Sequence, residues 1–457
     1  MLRVGAFCLL SLLAGLVACG TGPVSPGAVP AYRPGPAPAV SGHGVTALWQ
    51  GAPWDLQTVA DGLVLGDQYA DGRTVVRAVS VLTGAPVWAA RAPHAQPAVL
   101  GIVAGPGVVI AQVGHAIGHA PGMVAPVVRE EMVLDARTGR LLWAVPVAGD
   151  QAPVLVIAGS VVVLGGRRGS LTARRAATGS VLWQRSAPSG CPATGAVSVG
   201  PVLYGSAAAD GSLLAASFMC PGGRVLVQRL AAATGQLVWQ WESPPIGGGT
   251  QVALSVIGAA RQGRLVLLAG SIFPRAAAYP LVRTVSRPYA WPARLGPPAN
   301  SELILALDAA TGHPRWSAFS GQQEAYSLAG GAVCEGNSVG LECRDDVTGL
   351  LTRPLLVTGQ GFALPPYVGD GTAGISGGDA AVTVAPFRAG RVRLVVVPIR
   401  HGGQLAAARL DIGTTAPGAN EHTFVVAAGQ LPGGGTVVLL RRIDQPGYPL
   451  VALKVAG

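Results

Sequence analysis

Residues Val133–Trp143 read VLDARTGRLLW, and this stretch decides the fold. An apolar run ends at Asp135, the chain turns at Thr138-Gly139, and a second apolar run reaches Trp143. Glycine reaches the positive φ that a tight hairpin turn needs, and Asp or Thr side chains hydrogen-bond exposed turn amides. The reading is strand, turn, strand, with a large aromatic early in the second strand. The pattern returns as VSVLTGAPVW ending at Trp88, ARRAATGSVLW at Trp183, RLAAATGQLVW at Trp239 and ALDAATGHPRW at Trp316. A sixth copy, CRDDVTGLLTR, keeps Thr348 and Gly349 and has Arg353 where the Trp would stand.

The turn glycines fall at Gly84, Gly139, Gly179, Gly235, Gly312 and Gly349, separated by 55, 40, 56, 77 and 37 residues. A base unit of about 40 residues with insertions is the period of propeller blades, four strands each. Between the turns run short apolar stretches such as GLVLGD at 62–67, VLVIAGSVVVLGG at 154–166 and GRLVLLAGS at 263–271, bounded by Gly, Pro or Asp-Gly. No capped amphipathic helix is visible. Half of the 457 residues are apolar and only 12% are charged, which fits strands buried on both faces of stacked sheets. No apolar run long enough to span a bilayer follows residue 20.

The motif L-D-A-x-T-G-x-x-x-W resembles the repeat of the pyrroloquinoline-quinone-like propellers, over nearly all of the chain after the N-terminal segment. In that family the Thr-Gly turn joins the third and fourth strands of a blade, and the Trp packs between neighbouring blades. The resemblance therefore implies structural roles for Trp88, Trp143, Trp183, Trp239 and Trp316. Asp is present only at 135, 308 and 345. Trp49, in ALWQ, matches a final strand with no repeat before it, while Thr436–Gly457 gives strands with no Thr-Gly-Trp after them. The N-terminal strand is therefore expected to complete the last blade, removing an open sheet edge. With a degenerate unit at Leu405–Ala416, the expectation is an all-β propeller of eight blades, with seven as the alternative.

Residues 1–18 read as a secretory signal, with Arg3, an apolar core and small residues before Cys19. Leu16-Val17-Ala18-Cys19-Gly20 resembles the lipobox of bacterial lipoproteins, which implies acylation of Cys19 and a membrane-anchored protein facing away from the cytoplasm. Residues 19–44, rich in Pro, Gly and Ala, read as a tether, leaving 45–457 as the propeller.

Beyond Cys8 and Cys19, four cysteines remain, and four permit three pairings. Cys334 and Cys343 flank GNS and can face each other across a hairpin; Cys191 and Cys220 would then pair. No metal, cofactor or catalytic set is expected. His115 and His119 lie in GHAIGHAPG, whose glycines and proline argue for a loop, and the Asp-Gly pairs at 61, 71, 210 and 370 read as hairpin turns lacking the oxygen series that calcium requires. The formal charge of +10 favours anionic surfaces such as lipids or wall polymers. Nucleic acid is not an expected partner for an exported chain.

Most of the 77-residue interval is the stretch Ser271–Asn300, which interleaves Arg283 and Arg287 with Tyr289 and Trp291. Long loops on rigid β scaffolds tend to carry binding, and Arg and aromatics are enriched at hot spots. These four residues are the candidate partner-binding group. The expected function is a non-catalytic, monomeric envelope lipoprotein that binds a protein or envelope polymer. The alternatives are an assembly factor like the propeller lipoprotein of the outer-membrane barrel machinery, or a quinoprotein dehydrogenase. That last resemblance implies a Cys-Cys pair and an acidic calcium site, and the sequence contains no adjacent cysteines.

Overall fold

The computed structural model describes the strands and turns between residues 40 and 455. Residues 1–33 and the stretches 147–154, 166–169, 192–197, 202–212, 245–250, 274–284, 289–301, 356–379, 399–405, 412–422 and 443–449, with several shorter connections, lie outside the described residues. Among the described residues every regular element is a strand.

Strands β1 (Val40–His43) and β2 (Val45–Gly51) come first and pair with the end of the chain. The first sheet is β3 (Asp55–Ala60), β4 (Leu63–Ala70), β5 (Arg73–Ser80) and β6 (Pro86–Arg91). The second is β7 (Ala98–Gly105), β8 (Val108–Ala120), β9 (Met123–Asp135) and β10 (Leu141–Pro146). The third is β11 (Leu155–Ala158), β12 (Val161–Gly165), β13 (Leu171–Arg175) and β14 (Val181–Arg185). The fourth is β15 (Ser198–Pro201), β16 (Leu213–Cys220), β17 (Arg224–Ala231) and β18 (Leu237–Glu242).

The fifth sheet has six strands: β19 (Gln251–Val252), β20 (Ser255–Ala260), β21 (Leu265–Phe273), β22 (Val285–Pro288), β23 (Glu302–Asp308) and β24 (Pro314–Ser320). The sixth is β25 (Ala325–Ala329), β26 (Ala332–Asn337), β27 (Gly340–Asp345) and β28 (Leu351–Leu355). The seventh joins β29 (Ala380–Arg388), β30 (Arg391–Pro398) and β31 (Ala406–Asp411) to β1. The eighth joins β32 (Thr423–Gln430), β33 (Thr436–Arg442) and β34 (Leu450–Val455) to β2. All pairings are antiparallel, as short hairpin connections require.

Apolar side chains fill the spaces between several neighbouring sheets. Leu65, Val76 and Trp88 of the first sheet share one cluster with Val109, Met132 and Leu134 of the second. Val225, Val227 and Trp239 of the fourth share another with Val266, Leu268 and Leu305 of the fifth. Trp49, Val437 and Leu439 of the eighth sheet close against Val64 and Val79 of the first. The chain's two ends therefore meet in one core.

The structure revises three boundaries. The expected tether at 19–44 loses its last residues, because Val40–His43 pairs with Ala407–Leu410. Its pairing partner lies almost the whole chain away, where no local pattern reveals it. The stretch 271–300 is not all loop: β21 runs on to Phe273, and Val285–Pro288 pairs along β24 opposite Trp316–Phe319. Gly114–Ala120 of GHAIGHAPG is strand and not loop, since β8 and β9 form a long hairpin in which His115 stands opposite Val127 in the register. Strand residues four apart lie about 13 Å from each other, too far to share one ion. The Asp61-Gly62 turn is as expected, with φ of 49° and 76° between β3 and β4; the other three Asp-Gly pairs lie outside the described residues.

Candidate functional site

The Thr-Gly turn is built the same way six times. The glycine N–H donates to the carbonyl of the residue four before it: Gly84 to Ser80, Gly139 to Asp135, Gly179 to Arg175, Gly235 to Ala231, Gly312 to Asp308 and Gly349 to Asp345, each at 2.8 Å. The Thr hydroxyl accepts the amide just past the glycine, from Ala85 N–H to Thr83 through Leu350 N–H to Thr348. Where Asp is present, its Oδ1 also accepts two turn amides and the Thr hydroxyl, as at Asp135, Asp308 and Asp345. The backbone bonds suffice without it, which is why Ser80, Arg175 and Ala231 can take its place.

Each turn glycine has φ between 67° and 75° and receives the indole of the sheet before it. Trp49 covers Gly84, Trp88 covers Gly139, Trp143 covers Gly179, Trp183 covers Gly235, Trp239 covers Gly312 and Trp316 covers Gly349. A Cβ on any of these glycines would sit 2.6–2.7 Å from a ring atom. Each Nε1–H donates to the carbonyl three residues before the covered glycine: Val81, Ala136, Ala176, Ala232, Ala309 or Asp346, at 2.7–2.9 Å. One residue thus supplies apolar area, a satisfied polar tip and the spacing between sheets. Arg185 and Arg229 reinforce two of these joints, donating to Gly235 O and Ala309 O of the next sheet.

Charge is buried at a few places. Glu131 on β9 is 1% exposed, and burial pushes its carboxyl up to about 8 against the opposing pull of the Gln112 side chain and the Arg174 charge. Arg174 donates to Gly179 O of its own turn, as the fully buried Arg344 does to Gly349 O. Burial lowers the Arg77 guanidinium. Hydrogen bonds from Arg315 and Thr311 hold the Asp308 carboxyl down at about 2. Among the described residues no group of three His, Cys, Asp or Glu converges on a point that would hold a metal ion, and no helix is long and apolar enough to cross a membrane.

Two extensions leave the same end of the sheets. The β8–β9 hairpin and the stretch between β21 and β23 both connect second to third strands, opposite the Thr-Gly turns. Cys220 closes β16 at that end and is disulfide-bonded to Cys191. Cys343 is also disulfide-bonded, and Cys334 stands directly opposite it in the β26–β27 register. Of the candidate partner-binding group, Arg287 lies on β22 opposite Ser317. Arg283, Tyr289 and Trp291 lie outside the described residues, as does Cys19. At the turn end, the exposed aliphatic residues include Leu82, Val238 and Leu350, at 45%, 50% and 58%. Sequence reasoning missed these residues; their signal was the aliphatic residue two or three places after the turn glycine, as at Val87, Val181, Val238 and Leu351.

Residues 72–240 match the family model described as "Outer membrane protein assembly factor BamB". No curated protein matches the chain. Among solved structures, the C-terminal WD40 domain of Sif2 aligns over 90% of this chain and 99% of its own, at 10% identity and a TM-score of 0.51. BamB from Moraxella catarrhalis aligns over 91% and 97%, at 14% identity and a TM-score of 0.45. A quinohemoprotein alcohol dehydrogenase from Pseudomonas putida HK5 aligns over 82% and 68%, at 15% and 0.39. WD40 domains are propellers, and the stacked sheets here share that fold. The chain carries a PQQ-like β-propeller domain.

Proposed function

We propose that this chain is a non-catalytic scaffold of the cell envelope, held to a membrane through Cys19 and binding a protein partner through its propeller. The observation that supports it is the match of residues 72–240 to the BamB assembly-factor family model, on a fold whose shared features are structural joints. In this reading residues 1–18 are removed on export, residues 19–39 are the tether, and residues 40–457 form the propeller. The eight sheets close into a ring, with Trp49 locking the eighth to the first, and Cys334 bridges Cys343. The partner meets the segment inserted between β21 and β23, in which Arg283, Arg287, Tyr289 and Trp291 supply aromatic and cationic contacts.

The same family match favours one more specific reading, an assembly factor for outer-membrane proteins. Affinity capture from native membranes tests both. A retained membrane-protein partner, lost with Tyr289→Ala and Trp291→Ala, is the expected result; an outer-membrane assembly component among the captured proteins would select the specific reading. Saturable binding of pyrroloquinoline quinone with calcium, accompanied by alcohol oxidation, would overturn both. Cys19→Ser is expected to abolish acylation, and membrane retention unchanged in that variant would remove the anchor.

A further inference from the structure

We propose that the end of the propeller carrying the Thr-Gly turns rests on an anionic lipid bilayer, a reading that rests on the Cys19 anchor proposed above. The exposed aliphatic residues Leu82, Val87, Val181, Val238, Leu350 and Leu351 all lie within three positions of a turn glycine. An isolated exposed Leu or Val is unremarkable on any protein surface. Here they recur beside the turn glycines of the first, third, fourth and sixth sheets, within two positions before or three after the glycine, and so at the turn end. Exposed large apolar side chains gathered at one end of the sheets, and at no other place among the described residues, are the kind of surface that marks a contact.

Cations stand at the same end of the sheets. Arg137 and Arg140 flank Thr138-Gly139 and Arg175 opens the third turn, all exposed, while the exposed Arg315 after the fifth turn is paired with Asp308. Aliphatic side chains interleaved with arginines suit the boundary between acyl chains and anionic headgroups, where guanidinium groups reach phosphates while their stems lie on apolar surface.

The path of the chain argues for a bilayer over another occupant. Third strands all end at the turn face, and β31 is the third strand of its sheet. Val40 pairs with Leu410 at that end of β31, and β1 runs away from it. The N-terminal segment therefore joins the fold on the face that carries the exposed aliphatic residues. Cys19 stands about 20 residues before Val40 in the sequence, a separation that a coil spans in roughly 25 Å, so an acylated Cys19 would hold this face at high effective concentration over its own membrane.

The test uses the mature chain without acyl groups, made by replacing residues 1–19 with an ordinary cleavable signal. It is expected to bind phosphatidylglycerol-rich vesicles, to bind phosphatidylcholine vesicles far less, and to be released by salt. Combining Val238→Ser, Leu350→Ser and Leu351→Ser should lower partition tenfold or more, while Arg137→Gln with Arg140→Gln should flatten the salt dependence. All of these side chains are exposed, so melting temperature should not move. No vesicle binding, or partition unaffected by the aliphatic changes, would overturn the proposal. So would variants that bind vesicles normally but lose a membrane-protein partner, which would assign these residues to that protein. Mass spectrometry of the wild-type N-terminus decides the anchor separately: a Cys19 without lipid removes that reading and leaves the vesicle partition to judge the face.

Discussion

Trp316 lies flat against Gly349, and it is the last indole of the series: the sheet that carries Gly349 has Arg353 where the next Trp would stand. A Cβ at Gly349 would meet the ring at 2.7 Å, and φ there is 69°. The ring is 2% exposed and donates to Asp346 O at 2.9 Å. Trp316→Ala should cost about 3–5 kcal/mol, the usual range for emptying a buried aromatic site. Gly349→Ala should cost about 2–5 kcal/mol, combining left-handed strain with overpacking. The double variant should cost less than the sum, because the ring that the added methyl group strikes is gone. Urea melts of the four proteins check this; strict additivity would show that the two residues are not coupled.

Glu131 should make stability depend on pH. Its folded carboxyl titrates at about 8 and its reference value is 4.5. Between those values the folded state holds a proton that the unfolded state has lost, so stability falls as pH rises through this window and levels off above it. Glu131→Gln should therefore gain on the wild type as pH goes from 5 to 8, by a few kcal/mol at most. Chemical denaturation at pH 5, 6.5 and 8 measures it; a constant difference would mean that Glu131 does not titrate in this range.

Asp308 should act with the opposite sign. Its folded value, about 2, lies below the reference of 3.8. The contribution is fully present above the reference and disappears as pH falls toward 2. Asp308→Asn should be less stable than wild type at pH 6 and indistinguishable from it near pH 2. A difference that persists in acid would place the effect in the turn geometry and not in the charge.

The Cys191–Cys220 bridge closes a separation of 29 residues. In the chain-entropy account it contributes roughly 3–4 kcal/mol. Cys191→Ser with Cys220→Ser should lower the unfolding midpoint accordingly, and peptide mapping without reduction should recover the Cys191–Cys220 peptide from wild type. Recovery of a Cys220–Cys334 peptide would contradict the pairing.

Repetition made the fold legible. Five Trp residues after Thr-Gly turns announce a joint used over and over, and the structure shows each ring on the next glycine. Trp49 was readable as a final strand without a beginning, and it pairs with the eighth sheet. Elements that occur once were harder. Glycines at 114 and 118 suggested a loop, yet both lie in the β8–β9 ladder, because glycine weakens a paired strand without forbidding it. Val285–Pro288 sits among prolines and follows no repeat, and its strand character comes only from the free edge of β24. Glu131 looks like a surface residue in the string REEMV, and only the neighbouring sheet makes it a buried one.

The pairing of β2 with β34 sets a clock on folding. Val45 meets Val455, so a strand made near the beginning waits for one made at the end. At ordinary synthesis rates that wait is roughly 20–80 s. Neighbouring sheets can form in succession meanwhile, through hairpins of short range. Until the last residues arrive, however, Trp49 and the apolar flank of the first sheet stay uncovered, and the nascent protein presents a sticky edge that a chaperone or the membrane must shield. A chain stalled short of Leu450 would hold every strand of the first seven sheets and still lack the partner of its own second strand.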